Sequence, residues 1–471
     1  MKDGENFPIN AEQFVSGQHR ASLEEVLAFR EECARRQKAL LAARGVPLLC
    51  LGINMPGEYK RFPLAERSLR EEVRLVKLSL AAEGIEILHE ELYEAPGGCA
   101  DFISAAAPAE GLKEIALRIE RGHSLGRLFD IDVLNGRGEK LSRRDSGGGP
   151  RPCLVCGGDA FACGRSRAHN AADLREAAIG IMVKSFREKL GLLVSGAAVR
   201  ALVTEVAVTP KPGLVDRANN GAHRDMDFFS FIDSSAAILP CFRDCALAGF
   251  DAAAETGDQF RPEALFESLR PRGKIAEQEM LEATGGVNTH RGVIFSFGLA
   301  SAAFGVLFRR GESVPAEEVL DLAGAMTALV DKDFARKSGA ALSHGEAVQR
   351  RYGTGGVREE ARRGFPSVRD RALPELRRVL KAGSGVNDAG LAAFLALLSV
   401  TADTNVIHRA GPDVLGELQK ETAAFLETRP DIPSLREYAA GLDRKFIEKN
   451  ISPGGCADLL ALTLFLHRLC D

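Results

Sequence analysis

The sequence predicts a multidomain protein in which an α+β unit with a small Cys/His knuckle precedes an all-α unit. Three observations predict it. Apolar and acidic residues alternate with the strand period along Arg127–Leu134. Three of the ten cysteines crowd into residues 153–163, just after the Gly147–Pro150 break. Beyond about residue 188 the chain turns Ala/Leu-rich, and its apolar residues recur at helical spacing. Residues 1–19 are expected to form a loose tail, 20–187 the α+β domain and 188–471 the helical domain.

In chain order, Ser22-Leu-Glu-Glu25 is a capping box opening a helix that Gly45 stops. Val46–Ile53 reads as a buried strand, about Leu64–Ala82 as a helix ended by Gly84, and Ile85–His89 as a strand. A helix near Leu112–Arg121 leads to the Arg127–Leu134 strand, the Asn135–Gly138 turn and a return over Glu139–Leu141. After the knuckle comes a helix from about Ala172 to Glu188. The second unit then shows helical stretches at Phe228–Phe242, Val293–Phe308, Ala316–Leu329, Ala389–Val400 and Ala457–Leu469, joined by polar, glycine- and proline-bearing segments.

Composition bounds the function. With 45% hydrophobic and 27% charged residues, a 471-residue chain buries a core and suits two or three domains. The 61 basic and 65 acidic residues leave a net charge of −4, no field for nucleic acid. MKDGENFPIN has neither a basic n-region nor an apolar h-region, and no run of about 18 apolar residues is evident, so a cytoplasmic protein without a membrane partner is expected. The cysteines are too sparse for a disulfide scaffold; Cys33, Cys50, Cys241, Cys245 and Cys470 read as small buried hydrophobes.

Asp130 and Asp132, one residue apart on a strand, point to one face while Phe129, Ile131 and Val133 face the core. Convergent carboxylates suit Mg²⁺, with Arg127 beside them able to clamp phosphate. The plain alternative is a solvated strand edge. Cys153, Cys156, Cys163 and His169 follow a C-x2-C-x6-C-x5-H spacing suited to a closed tetrahedral Zn²⁺ site. Free loop thiols are the alternative there.

In the helical unit, Glu205 precedes Thr209-Pro-Lys-Pro-Gly213, whose prolines are expected to hold an extended backbone that presents Lys211, Asp216 and Arg217. His223, Arg224, Asp225 and Asp227 follow at once, a density of charge that suits a charged ligand or metal. Gly285, Gly286, Asn288, Thr289 and His290 form a glycine turn expected to open a helix whose free N–H groups suit phosphate. His344, Asp403-Thr-Asn405 with His408-Arg409, and Ser452–Asp458 add further polar helix starts. Any one of these is an ordinary helix cap, and Asp458 is read that way. Together they point to a polyphosphate site.

The Gly126–Val133 strand, the Cys153–His169 cluster and Leu51-Gly-Ile-Asn-Met-Pro-Gly57 resemble apo-citrate lyase phosphoribosyl-dephospho-CoA transferase, with a nucleotidyltransferase-like α+β fold. Thr209–Arg217, Gly221–Asp227, Thr284–His290, Asp403–Asn405 and Ser452–Gly455 resemble triphosphoribosyl-dephospho-CoA synthase, with Cys456 where a serine is expected. The resemblance runs from about residue 20 to the end. It implies that the helical half joins ATP and 3′-dephospho-CoA with loss of adenine. The first half would then load phosphoribosyl-dephospho-CoA onto a serine of the citrate lyase acyl-carrier subunit. Glu205, Asp216, His223, Asp225, Asp227, His290 and Asp403 become catalytic candidates for the first step. Lys211, Arg217 and Arg224 become triphosphate ligands acting through Mg²⁺. For the second step Asp130 and Asp132 hold Mg²⁺ and Arg127 steadies the pyrophosphate. Two other readings of the same residues stay open. One is a nucleotidyltransferase head fused to a metal-dependent phosphohydrolase or ribosylhydrolase. The other is a non-catalytic adaptor that docks an acyl carrier on Arg165–Arg167.

Overall fold

The computed structural model describes residues 10–143, 149–253, 260–311, 313–328 and 355–471. The chain divides into two compact units, Met1–Glu188 and Lys189–Asp471.

Helix α1 is a single turn, Glu12–Val15; Val15 is fully buried and Glu12 pairs with Arg175, so the expected loose tail is docked from residue 10. Helix α2 (Leu23–Arg44) begins at the Ser22/Glu25 capping box and ends at Gly45 in the left-handed conformation that glycine permits. Strand β1 (Leu48–Gly52) is an inner strand of a four-stranded antiparallel sheet. Helix α3 (Pro63–Ala82) precedes β2 (Ile87–Ala95), which is longer than Ile85–His89. Strand β3 (Gly98–Ala105), which the sequence reading missed, returns beside β2. Helix α4 (Ala109–Gly122) leads to β4, only Asp132–Leu134, much shorter than Arg127–Leu134. Upstream of it, pairing shrinks to an isolated bridge between Phe129 and Ile53. The return after Asn135–Gly138 is likewise reduced to a Leu134–Lys140 bridge.

The pleat assigns the faces. Leu48, Cys50, Phe102 and Leu134 share one face and pack under Leu40 and Leu41 of α2. Cys50 is the partner of Asp132, so that carboxylate faces the α2 side. The intervening Phe129, Ile131 and Val133 are fully buried. Helix α5 (Ala160–Ser166) belongs to the knuckle.

Helix α6 runs without interruption from Ala171 to Ala207. The change of composition near residue 188 therefore falls inside a helix and does not end one. The rest is helical: α7 (Phe228–Ala252), α8 (Pro262–Ala283), α9 (Arg291–Arg310), α10 (Ala316–Met326), α11 (Gly356–Arg362), α12 (Leu373–Lys381), α13 (Val386–Leu398), α14 (Thr404–Ala410), α15 (Pro412–Glu427), α16 (Ile432–Glu448) and α17 (Gly454–Cys470). The end of the expected Ala316–Leu329 helix, and His344, lie outside the described residues.

Close backbone packing explains the small residues. A Cβ on Gly249 of α7 would lie 2.0 Å from the Ala302 carbonyl oxygen on α9, and one on Gly305 2.0 Å from that of Ala246. Phe297 of α9 stacks on Phe465 of α17 with ring centroids 4.4 Å apart. Contrary to the sequence reading, α6 and α9 are long and apolar enough to cross a membrane by length and composition. The apolar window of α9 is 78% buried inside the protein and that of α6 50%. For α9 this is the signature of a core helix. Cys50, Cys241 and Cys245 are buried as expected, whereas Cys33 and Cys470 are only partly so.

Candidate active sites

In the α+β unit, Asp130 and Asp132 line one cavity of about 280 Å³ beside α2. Val26, Phe29 and Arg30 of α2, Cys50 and Gly52 of β1, and Asn54 and Met55 after it form other walls. Lys60 closes the loop by donating from Nζ to the Met55 carbonyl at 2.6 Å. The two carboxylates are brought together, but neither is bare. Asp132 pairs with Lys140 at 2.5 Å, and Asp130 with Arg151 at 3.1 Å. Arg127 behaves differently from expectation. It does not line the cavity; its Nε donates to the Pro152 carbonyl, and its Nη1 is buried without a hydrogen-bond partner among the described residues. Burial and neighbouring Arg151 hold its guanidinium pKa down.

Sequence reasoning missed Glu72. It is fully buried in α3, and burial together with the Asp130 charge pushes it well above the usual carboxylate range. Nothing in its helical stretch of charged residues distinguishes it. Glu72 lies near enough to Asp130 to feel its charge, but among the described residues it does not join Asp130 and Asp132 in a three-carboxyl metal group, so the pair alone is the part of this cavity suited to Mg²⁺.

The knuckle residues converge. Ligand atoms of Cys153, Cys156, Cys163 and His169 all lie within 4.8 Å of one another. The Cys156 and Cys163 sulfurs are 3.5 Å apart, near the ~3.8 Å edge of a tetrahedron with Zn–S bonds of about 2.3 Å. His169 Nε2 is buried without a hydrogen-bond partner among the described residues. Backbone N–H groups of Cys156 and then Val155 pull the Cys153 thiol down to about 7. The donor set could hold a metal ion and fits zinc.

In the helical unit the structure rearranges the expected roles. The Thr209–Gly213 segment folds back on itself, so Lys211 and Asp216 are buried and Arg217 remains exposed. Lys211 Nζ donates to the Glu205 carbonyl at 2.8 Å and to its carboxylate. Burial pushes the Glu205 carboxyl up against the pull of that lysine. Asp216 organises the turn, accepting from the N–H groups of Lys211, Ala218 and Asn219 at 2.6–3.1 Å. Arg217 donates to Thr209 Oγ1 and Asn387 Oδ1, and Arg224 is exposed. His223 Nε2 lies 2.8 Å from Ser452 Oγ, and burial and then Arg409 hold its pKa below the usual value. Asp225 is largely exposed. Asp227 is the N-cap of α7, accepting from Ser230 N at 2.9 Å. Gly285 and Gly286, at φ 64° and 94°, terminate α8, with Gly286 N–H donating to Leu281 O. They do not directly open α9; Asn288 Oδ1 accepts from Arg291 N there at 3.2 Å.

A buried group does converge. Asp403, 1% exposed, caps α14 through Asn405 and Val406 and accepts from Cys456 N at 2.9 Å. A Cβ on Gly455 would lie 3.0 Å from its Oδ2, and one on Gly454 2.6 Å from Asn405 Nδ2, which is why the Pro453-Gly-Gly455 turn carries glycines. Asp458 lies in α17 and is not its cap. Burial of its carboxyl, then the charges of Glu205 and Asp403, push its pKa well above the usual range. Its Oδ2 would sit 1.9 Å from a Cβ on Gly292 of α9. His290, beside Gly292, is 2% exposed, and burial and Lys211 hold its pKa down to about 3. Glu205, Lys211, His290, Asp403 and Asp458 thus form one interior polar cluster fed by α6, α9, α14 and α17. Asp458 could have been noticed as an acid inside an otherwise apolar helix.

The first unit thus carries an acidic cavity and the second an interior acid, lysine and histidine cluster, two separate candidate centres. The apo-citrate lyase phosphoribosyl-dephospho-CoA transferase family, CitX, matches residues 21–185. The ATP:dephospho-CoA triphosphoribosyl transferase family, CitG, matches residues 193–471. Protein CitXG of Leuconostoc mesenteroides subsp. cremoris is 32% identical, covering 97% of this chain and 99% of its own length. Protein CitXG of Haemophilus influenzae is also 32% identical, covering 94% and 95%. The 2-(5''-triphosphoribosyl)-3'-dephosphocoenzyme-A synthase of Klebsiella pneumoniae is 42% identical over 57% of this chain and 87% of its own. The chain belongs to the family of CitX–CitG fusion proteins and is a bifunctional transferase.

Proposed function

We propose that the protein makes and attaches the citrate lyase prosthetic group, one step in each unit. The observation that carries this is the separate family match to each compact unit. The helical unit joins ATP and 3′-dephospho-CoA, giving 2′-(5″-triphosphoribosyl)-3′-dephospho-CoA and adenine. The α+β unit then transfers phosphoribosyl-dephospho-CoA to a serine of the citrate lyase acyl-carrier subunit and releases pyrophosphate. The functional boundary falls at residues 187/188, within α6, and the protein works in the cytoplasm.

In the first step the ribose C1′–N9 bond of ATP breaks and a bond from C1′ to the 2′-oxygen of dephospho-CoA forms. Positive charge develops on the ribose, and buried carboxylates stabilise it far better than solvated ones would. Buried Glu205 and Asp403 and half-buried Asp458 supply those carboxyls, and their raised pKa values suit one to protonate the leaving adenine and another to accept the 2′-hydroxyl proton. Lys211 holds Glu205 in place. On the loop that carries His223, exposed Arg217 and Arg224 bind the triphosphate, and exposed Asp225 would meet it through Mg²⁺.

In the second step the carrier serine attacks the α-phosphorus, and the bond to pyrophosphate breaks in line. Asp130 and Asp132 would hold Mg²⁺, which neutralises triphosphate charge and orients it when bound. Lys140 and Arg151, now paired with those carboxylates, can turn to the phosphates. Arg127 supports the Pro152 backbone leading into the knuckle. Cys153, Cys156, Cys163 and His169 would hold a structural zinc that fixes this segment. The test is mass spectrometry after incubation with ATP, Mg²⁺, dephospho-CoA and purified carrier. A phosphoribosyl-dephospho-CoA adduct on the carrier serine with free adenine is expected; ATP hydrolysis independent of dephospho-CoA would overturn the reading.

A further inference from the structure

His290 immediately precedes α9, and its ring is held by a hydrogen-bond chain. Nδ1 lies 2.6 Å from Ser234 Oγ on α7, and Thr289 Oγ1 donates to that same Ser234 Oγ at 2.7 Å. Counting hydrogens orients the chain. A serine hydroxyl has one proton and two lone pairs. Ser234 Oγ accepts from Thr289, and among the described residues Nδ1 is the one other group hydrogen-bonded to it, hence the acceptor for its own proton. Nδ1 therefore accepts, and the proton of the neutral ring sits on Nε2. The ring is neutral because burial and the Lys211 charge oppose an imidazolium there. Phe231 meets the ring edge-on at 5.1 Å between centroids. Nε2 itself is buried and has no hydrogen-bond partner among the described residues. A buried N–H without a protein acceptor is a net cost, and native proteins rarely carry one without a ligand or water to meet it.

We infer that His290 is a neutral Nε2–H donor to an acceptor atom of ATP, and that Ser234, held by Thr289, is the positioning residue that fixes its tautomer. This rests on assigning the ATP-consuming step to the helical unit. It removes His290 from general acid–base duty, leaving proton transfer to the buried carboxyls. The acceptor is an unprotonated purine nitrogen or a phosphate oxygen, either of which can take an N–H. On the base the donor would draw electrons toward the departing adenine; on phosphate it would anchor the chain.

The test is ¹⁵N NMR of the full-length protein labelled at histidine, with His290→Asn used to assign the ring. The expected result is a proton on Nε2 and an accepting Nδ1 between pH 6 and 8, and an Nε2–H resonance that moves when ATP is added without dephospho-CoA. Adenosine reproducing the shift places the acceptor on the base; inorganic triphosphate reproducing it places the acceptor on phosphate. Ser234→Ala should spread the proton over both nitrogens and lower kcat for adenine release about 10-fold, leaving KM for dephospho-CoA unchanged. A proton on Nδ1, an imidazolium, an Nε2–H unmoved at saturating ATP, or an unaltered tautomer in Ser234→Ala would each overturn the inference. If the wild-type protein still releases adenine in that event, the assignment of function stands without it. Failure of the wild type to release adenine with dephospho-CoA present would sink both.

Discussion

The two acidic centres hold their charge in opposite ways. Asp130 and Asp132 face a cavity, are 49% and 30% exposed at the side chain, and are each met by a cation. Glu205 and Asp403 are 3% and 1% exposed, and Lys211, which pairs with Glu205, is itself buried. An open carboxylate pair can exchange a protein cation for a metal–triphosphate complex at little cost, because water screens the exchange. Enclosed carboxylates cannot do so cheaply, but they act strongly on charge that develops beside them. The difference matches the proposed division: phosphoryl transfer needs a clamp that loads and unloads, and glycosyl transfer needs a dry site for a transient cation.

The sharpest way to break that comparison is to neutralise the open pair. Asp130→Asn with Asp132→Asn should reduce carrier loading by roughly 10³-fold even when the triphosphoribosyl intermediate is supplied, with adenine release preserved. Adenine loss with carrier loading intact would mean that the activities are assigned to the wrong units. Unchanged activity in both steps would leave the pair a solvated edge.

The enclosed centre should respond in mirror image. Asp458→Asn should slow adenine release by roughly 10²-fold and leave loading of supplied intermediate unaltered. Equal slowing of both steps would point to a folding defect and away from chemistry.

The knuckle belongs to the open side. About one zinc per chain is expected on metal analysis, and Cys153→Ser should lower the Tm of the first unit by roughly 5 °C or more. Protein purified without chelator that contains no zinc, nickel or iron would exclude a metal role.

The smallest effect is one of pH on stability. The folded pKa of His290 is held down to about 3, far below its unfolded value. As pH falls below about 6.5 the unfolded chain takes up a proton that the folded ring refuses, so stability is complete above that pH and is lost toward pH 3. The slope from this group is at most about 1.4 kcal/mol per pH unit. Denaturant titrations of His290→Asn should show a shallower loss over that window; an identical pH profile would mean that the ring is not buried in solution.

Much of this was legible locally. The capping box at Ser22, the glycine stop at Gly45 and the knuckle spacing all depend on neighbours a few residues apart, and the structure places each as the spacing implies. The strand length around Asp132 was overestimated because pairing, and not alternation, sets where a strand begins. Strand β3 escaped because Gly98-Cys-Ala-Asp-Phe has no clean alternation; it is buried on both sides by its partners and helices.

The sequence by itself determined the α+β and helical classes, the motifs, and which residue types carry charge, since period, caps and ligand spacing act over one or two turns of chain. Only the tertiary structure decided which of those charges face a ligand. Lys211 and Asp216, read as presented, turn inward because the loop folds back against α16, where Asp443 accepts from Gly213 N at 2.9 Å. Glu72, Asp458 and Ser234 acquire their roles from residues dozens to hundreds of positions away. Burial and pairing energies depend on distances across the fold, and a linear pattern does not contain them.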